Sequence, residues 1–126
     1  MTATTAGYRV AVTSQGVGVV SEANRRDHWA VKRARRLVQQ GQTLASLLRI
    51  GDDASRRIRN SPAIRVRLVR LGGKRLDSDN LAGGFKAIRD AVAGWLKIDD
   101  GSDRYRWDYD QEPAKEKGFR IEFTVD

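Results

Sequence analysis

The sequence predicts an α/β fold of the α+β type, with a small mixed sheet of about four strands and two main helices packed against it. Four short segments alternate apolar and polar residues, and two longer segments repeat apolar residues with the helical period. Their order is strand, helix, strand, helix, strand, strand. Because each strand and each helix has an apolar side to bury, one sheet covered by the helices is the simplest arrangement. The 126 residues, 40% of them hydrophobic, suffice for one core.

The four predicted strands are residues 8–13, 64–70, 105–109 and 119–125. Each places apolar or aromatic side chains at every second position, as a strand with one buried side does. A glycine pair after the second strand predicts a turn. We expect residues 1–7 to be a flexible tail, because they are small and polar, and residues 8–126 to form a single domain.

The first predicted helix runs from about residue 22 to 40, with Ser21 as its cap and Gly41 at its end. A short helical piece follows around Leu44, Leu47 and Leu48. The expected buried stripe of the first helix is Ala30, Val31, Ala34, Leu37 and Val38. The second helix covers residues 80–97, and its stripe is Leu81, Phe85, Ile88, Val92, Trp95 and Leu96. The polar segment 51–62, which contains Asp52 and Asp53, is predicted to be a mobile loop.

Composition narrows the classes of function. Twenty-four Lys and Arg against sixteen Asp and Glu give a formal net charge of +8. Arginine matches phosphate geometry, so the excess favours nucleic-acid binding over a basic surface that only confers solubility. No apolar run is long enough to span a membrane, and Met1–Gly7 lacks the features of a signal peptide. The absence of cysteine excludes disulfides and cysteine-bound zinc, so a cytoplasmic protein is expected.

Two acidic clusters stand out in this basic chain. Asp77 and Asp79 are two residues apart, so in extended backbone their carboxylates point the same way and suit Mg²⁺. Asp99 and Asp100 follow the second helix, which at about seventeen residues is ~25 Å long. They can approach Asp79 only if the third strand returns beside the second. Alternatively, Asp79 is a helix N-cap, and Asp99-Asp100-Gly101 is an ordinary turn.

One ridge of the second helix carries further polar residues. Asp79, Gly83, Lys86 and Asp90 fall on the face opposite the apolar stripe, at 100° per residue. Because Gly83 has no side chain, it leaves an open notch between Asp79 and Lys86. Asp90 can equally be a solvated or arginine-paired surface acid.

The first helix has a basic face. Its members are Arg25, Trp29, Lys32 and Arg36, with His28 and Arg33 beside them. An aromatic ring among cations suits stacking on unpaired bases while phosphates are neutralised. Alternatively, Trp29 packs under a loop or a second subunit, and His28 only makes a structural hydrogen bond.

The pattern of these residues resembles a known family. Leu76-Asp77-Ser78-Asp79-Asn80-Leu81, the lysine of the following helix and Asp99-Asp100 resemble the RusA family of Holliday-junction resolvases, especially its phage-type members. The segment 21–29, which contains Asn24, is similar to the family's asparagine-containing segment before the first helix. Residues 109–111 and the closing strand are similar to its C-terminal end, so the resemblance covers about residues 8–126.

The resemblance implies a homodimer that uses Mg²⁺ to nick two strands of a four-way DNA junction in recombination and repair. The sequence leaves open whether Mn²⁺ replaces Mg²⁺. By position, Asp77, Asp79 and Asp100 match the metal-binding catalytic acids, and Asp99 is an additional candidate ligand. Lys86 matches the catalytic lysine, one helical turn later than in the bacterial pattern, where this chain has Gly83. Supporting or phosphate-binding residues are Asn24, Asn80 and Arg75, with the arginines of the second strand. The alternatives are a catalytically inactive DNA-binding module and a small basic RNA-binding protein.

Overall fold

A computed structural model describes residues 7–20 and 29–126. Its four strands form one mixed sheet in the order β1–β4–β2–β3. They are β1 (Tyr8–Gln15), β2 (Ile64–Leu71), β3 (Tyr105–Glu112) and β4 (Gly118–Val125). All four predicted strands are therefore confirmed, each slightly longer than the alternation indicated. The predicted tail up to residue 6, and residues 21–28 with the predicted cap Ser21, lie outside the described ranges.

The sheet contains one parallel pair. Strands β1 and β4 are antiparallel, as are β4 and β2, whereas β2 and β3 run parallel, with Ile64 opposite Tyr105 and Leu71 opposite Glu112. A parallel neighbour requires a crossover, which the helical segment between the two strands provides. The third strand therefore does return beside the second, as the sequence argument required.

Within the described ranges, four helices connect the strands: α1 (Trp29–Leu47), α2 (Asp52–Asn60), α3 (Ser78–Gly84) and α4 (Lys86–Leu96). The predicted end of the first helix at Gly41 is wrong. Helix α1 continues through this glycine, and the piece predicted around Leu44 is its last part. One glycine costs a helix only about 1 kcal/mol, which packing of the helix against α4 and β1 outweighs.

The predicted mobile loop over residues 51–62 is also wrong, since it contains α2. Asp52 and Asp53 lie in the first turn of this helix, and Arg57 and Arg59 lie in its last turn, so the charges complement the helix dipole. Ile58 is fully buried and anchors the helix. Only Ile58 and the partly buried Ala54, one turn earlier, pack on the core, and one such pair in a highly charged segment is a weak sequence signal.

The predicted continuous helix over residues 80–97 is divided into α3 and α4. The division falls at Phe85, whose backbone lies at φ −93° and ψ 0° outside the helical region. Gly84 lies against the backbone of Val20, and a Cβ there would be 2.7 Å from its carbonyl oxygen. Because this close approach leaves no room for a side chain, residue 84 at the end of α3 is a glycine. The apolar stripe is confirmed, because its members are buried apart from the partly buried Trp95.

The core lies between the sheet and the helices. It is formed by the inward residues of β2 and β4, among them Ile64, Val66, Leu68, Phe119, Ile121 and Phe123, together with the stripe of α3 and α4.

The predicted buried stripe of the first helix is wrong, because all five residues are exposed. Helix α1 instead turns Gln39, Thr43, Ser46 and Leu47 inward. The amide of Gln39 donates a hydrogen bond to the carbonyl oxygen of Gly18 at 3.1 Å. The loop after β1 thus presents a backbone acceptor that an apolar side chain could not satisfy.

The opposite face of the sheet carries a network of ion pairs. Arg67 contacts Asp110 at 2.6 Å, Glu122 at 3.0 Å and Glu112 at 3.6 Å, and Arg120 contacts both glutamates at 2.7 Å. The hydrogen bond from Arg67 lowers the pKa of Asp110 below its usual value. Burial acts to raise the pKa of Glu122, but the bonds from both arginines outweigh it and the pKa is lowered. The charges of this network are therefore satisfied within the protein.

Candidate metal and nucleic-acid site

The first acidic cluster follows the carboxyl end of β2. After the Gly72-Gly73 turn, the chain reaches Leu76, which is bound by the side-chain amide of Gln111 on β3. This amide accepts a hydrogen bond from the Leu76 N–H at 3.0 Å and donates one to the Leu76 carbonyl oxygen at 2.7 Å. The chain is thereby attached to the end of the parallel strand pair immediately before Asp77. In open α/β sheets, ligands bind outside the carboxyl ends of parallel strands.

Asp77, rather than Asp79, caps α3. Its Oδ1 accepts a hydrogen bond from the Asn80 N–H at 2.9 Å, and its Oδ2 accepts one from the Asn80 side chain at 3.0 Å. Asp79 lies in the first helical turn, so the alternative that assigned it the cap is wrong. Both carboxylates are exposed. Each carboxylate oxygen has two acceptor positions, so the contacts with Asn80 leave Asp77 able to bind a cation.

The second acidic cluster is attached to α4. The Asp100 carboxylate lies 3.4 Å from Nε of Arg89, and its backbone oxygen accepts hydrogen bonds from Arg89 and from the Trp107 indole, both at 3.1 Å. Arg89 also donates to the Tyr109 hydroxyl at 2.8 Å and lies over the Trp107 ring. Asp99 accepts a hydrogen bond from the Gly101 N–H at 3.2 Å. The turn expected as an alternative therefore forms.

The two clusters lie beside different parts of β3. The first adjoins Gln111 and the second adjoins Trp107, and the strand between these residues is about 13 Å long. Among residues 7–20 and 29–126, no group of three or more His, Cys, Asp or Glu is placed to hold a metal ion. Asp77 and Asp79 thus share one helix start, whereas Asp100 is paired with Arg89.

Lys86 is the first residue of α4 and is largely exposed. Its amino group lies 3.8 Å from the Asp90 carboxylate one turn on, so these two residues share a ridge as predicted. Asp90 is thus paired with a lysine rather than an arginine. An exposed pair of this kind contributes little free energy, which leaves Lys86 able to exchange Asp90 for another anion. A Cβ added at Gly83 would have no described atom within 4 Å, so the notch is open.

The basic residues of α1 are accessible. Trp29 is 67% exposed, Arg33 and Arg36 are exposed, and Lys32 is half-buried. Asn24, Arg25 and His28 lie outside the described residues, so their assignment rests on the sequence. Arg65 and Arg67 of β2, which the sequence suggested for phosphate contacts, are paired with acids instead: Arg65 lies 2.7 Å from Asp108.

Two residues at this edge of the protein were missed by the sequence argument: Arg89 and Gln111. Arg70 is one of the second-strand arginines that the sequence suggested for phosphate contacts, and the structure buries it. Arg70 occupies an inward position of β2, where its neighbours Val66 and Leu68 are apolar, and an arginine there is a signal that the sequence does contain. Arg89 follows Ile88 of the buried stripe, at the edge of that stripe. No comparable sequence signal marks Gln111, because its role depends on the pairing of β2 with β3.

Within the described ranges, no helix has the length and apolar character needed to cross a membrane. The chain matches no family model, and a search of curated proteins also found no match.

Proposed function

We propose that this chain is a Mg²⁺-dependent endodeoxyribonuclease that resolves four-way DNA junctions by paired nicks. The observation that carries the proposal is the exposed pair Asp77 and Asp79 at the carboxyl end of the β2–β3 pair, in a chain of net charge +8. Two carboxylates at the front of a DNA-binding surface would repel phosphate unless a divalent cation lay between them. Oxygen donors with room for water are what Mg²⁺ requires, and Mn²⁺ accepts similar ligands.

Asp77 and Asp79 would hold the metal, which supplies Lewis-acid polarisation of the phosphate and an activated water. Asn80 orients Asp77 through both carboxylate oxygens. Lys86, across the Gly83 notch, would stabilise negative charge on the leaving oxygen. Arg75, exposed in the loop before Asp77, would hold a neighbouring phosphate.

Asp100 would complete the metal site after leaving Arg89, with Asp99 as the additional ligand. Its carboxylate is 40% exposed, and the side chain of Arg89 is 29% exposed. A partly solvated pair at 3.4 Å is weak, so a cation at Asp77 and Asp79 could draw the carboxylate away. Because about 13 Å of β3 separates Trp107 from Gln111, this exchange would also require the Asp100 backbone to leave Arg89 and Trp107.

DNA would contact the exposed cations of α1 and the loop beside Asp77. Lys32, Arg33 and Arg36 would neutralise phosphates, and Trp29 would stack on an unpaired base at the branch point. Asn24 and Arg25 would extend this surface. The outward arginines of β2 and β4 are held in ion pairs on one face of the sheet, so the DNA would bind on the side of the sheet that the helices cover. This activity belongs to a cytoplasmic protein, in a bacterial host if the chain is phage-encoded.

The functional unit would be a homodimer formed through the outer face of α1. This face, with the turn that follows the helix, exposes an apolar strip: Val31, Leu37, Val38, Leu44 and Leu48 are between 43% and 78% exposed. Large apolar side chains exposed together on one surface are typical of interaction surfaces. A two-fold pairing of identical helices is self-complementary and gives two active sites for two symmetry-related strands of a junction.

The test is cleavage of a labelled four-way junction with Mg²⁺ and with EDTA. We expect Asp79→Asn to bind the junction like the wild type and to lose metal-dependent nicking. Asp103→Asn, an exposed acid before β3, is the matched control and should cleave normally. Undiminished cleavage by Asp79→Asn would refute the proposed site.

A second candidate is a DNA-binding module without catalytic activity. The pairing of Asp100 with Arg89, away from Asp77 and Asp79, favours it. It predicts junction binding without cleavage in either metal. A third candidate, based on the net positive charge, is a small RNA-binding protein. In that case the affinity for RNA should equal or exceed the affinity for the junction.

A further inference from the structure

A cavity of about 200 Å³, with both polar and apolar lining, lies beside the acidic loop at the carboxyl ends of β2 and β3. Its lining includes Arg70, Gly72, Gly73, Arg75, Gln111 and Glu112. Pockets for organic ligands usually enclose about 300–1,000 Å³. This cavity is therefore suited to one small charged group rather than to a whole nucleoside.

Arg70 brings a buried positive charge to this cavity. The residue is 8% exposed, and it donates hydrogen bonds from Nε to the Val19 carbonyl at 2.7 Å and from Nη1 to the Lys74 carbonyl at 2.6 Å. Within the described part of the chain, no carboxylate lies within 4.0 Å of it and Nη2 has no hydrogen-bond acceptor. Burial lowers the pKa of the guanidinium, although arginine stays charged at neutral pH. A buried cation satisfied only by neutral carbonyls favours a bound anion.

The glycine turn keeps this guanidinium accessible. Gly73 has φ +75°, and a Cβ at this position would lie 2.8 Å from Nη2 of Arg70. Any side chain at residue 73 would therefore displace the guanidinium. Gly72, at φ +71°, makes the same left-handed turn, and both residues leave the cavity wall as bare backbone.

Glu112 is the acidic residue in the cavity lining, and its carboxylate is paired with arginines outside the cavity. Its carboxylate lies 2.7 Å from Arg120 and 3.6 Å from Arg67, on the opposite face of the sheet. Arg75 is exposed at the cavity mouth and adds a second cation. The balance of charge at the cavity is therefore positive.

We infer that this cavity is a phosphate subsite, in which Arg70 and Arg75 bind a single phosphate group. Guanidinium groups bind phosphate oxygens through short, charge-assisted hydrogen bonds. The Gln111 amide lines the cavity and also holds Leu76, the residue before Asp77. The identity of the bound group rests on the proposed function: we assign it as a DNA backbone phosphate next to the phosphate that is cleaved.

The first experiment measures binding of inorganic phosphate to the full chain by calorimetry, without divalent metal and at constant ionic strength. We expect saturable binding by the wild type and at least about tenfold weaker binding by Arg75→Gln. Arg56→Gln removes an exposed arginine of α2 that does not line the cavity and should bind phosphate normally. Equal binding by all three proteins, or equal weakening by both variants, would overturn the subsite.

Arg70→Lys keeps the buried charge and removes the planar fork, and it should also weaken binding. Because this residue is buried, circular dichroism must show that the variant is folded. If it is not, Arg75→Gln decides the question alone.

The second experiment separates DNA phosphate from free phosphate as the ligand. Inorganic phosphate should compete with junction binding by the wild type and should lose this effect in Arg75→Gln. Phosphate binding without competition would overturn the assignment to a DNA phosphate. Asp79→Asn should bind phosphate like the wild type. Phosphate binding by a wild-type protein that never cleaves junctions would refute the nuclease and support the subsite.

Discussion

The side chain of Gln111 hydrogen-bonds both backbone groups of Leu76, 35 residues away in the chain. It accepts from the N–H at 3.0 Å and donates to the carbonyl at 2.7 Å, as a neighbouring strand would. The loop that follows β2 is therefore held at the end of β3, and Asp77 begins α3 from a defined position. The location of the acidic pair thus depends on a residue outside its own motif.

Replacing Gln111 with leucine should therefore displace the acidic loop. Two hydrogen bonds are lost and the Leu76 groups become unsatisfied, so we expect unfolding in urea to show about 1–3 kcal/mol lower stability. Junction cleavage should fall more than junction binding, because binding depends on cations elsewhere. Gln15→Leu, at the exposed end of β1, is the control. Unchanged stability and cleavage would show that the Gln111 side chain has no positioning role.

Asp77 has a structural role as a cap and a proposed role as a metal ligand, and two substitutions separate them. Serine caps a helix about as well as aspartate, whereas alanine loses about 1 kcal/mol. Asp77→Ser should keep the thermal stability and lose Mg²⁺-dependent cleavage, and Asp77→Ala should lose both. Normal cleavage by Asp77→Ser would mean that Asp77 only caps α3.

Replacing each of the adjacent glycines of α3 with alanine should change the free energy of unfolding in opposite directions. At Gly83 no described atom is near the added methyl, so the helix should gain about 0.5–1 kcal/mol. At Gly84 the methyl would lie 2.7 Å from the Val20 carbonyl oxygen and 3.0 Å from Cγ1 of Val19, so we expect a loss of about 1–3 kcal/mol. Thermal unfolding measures both. A stabilised Gly84→Ala would contradict the close approach of α3 to Val20.

Leu37→Glu should break the proposed dimer without unfolding the chain. Leu37 is 57% exposed, so a charge there costs the isolated subunit little but cannot be buried against a second apolar helix. Sedimentation velocity should show a dimer for the wild type and a monomer for the variant. Gln15→Glu introduces the same charge on β1 and should stay dimeric. A monomeric wild type would contradict the α1 interface.

The ion pairs on the outer sheet face should make stability depend on acidic pH. The hydrogen bond from Arg67 holds the pKa of Asp110 below its usual value. Asp110 therefore contributes stability above that value and loses it as the pH falls through the depressed pKa. The pair is partly exposed, so the contribution is at most about 1 kcal/mol.

Urea unfolding at pH 7 and at about pH 3 measures this contribution. Asp110→Asn should lower stability at pH 7 and have a smaller effect at the lower pH. Asp103→Asn, on an exposed turn, controls for the loss of one negative charge. Equal effects of Asp110→Asn at both pH values would show that the pair with Arg67 contributes nothing.

Local pattern was informative where one face of an element is buried and the other is solvated. The alternation in β4 and the stripe from Leu81 to Leu96 marked elements that the structure confirms. The same rule misled for α1, whose apolar strip faces outward while Gln39 is buried against the Gly18 carbonyl. Period identifies an apolar face but does not specify what covers it. It also did not identify α2, which packs only Ala54 and Ile58 on the core.

The sequence by itself determined the four strands, the apolar side of the crossover helices and the presence of two acidic clusters in a basic chain. Tertiary structure decided where those acids lie. Parallel pairing of β2 with β3 brought Gln111 to Leu76, and packing of α4 brought Arg89 to Asp100. These contacts join residues far apart in the chain, and no local spacing encodes them. The cavity beside the buried Arg70 also depends on tertiary structure, because residues at the ends of β2 and β3 line it together.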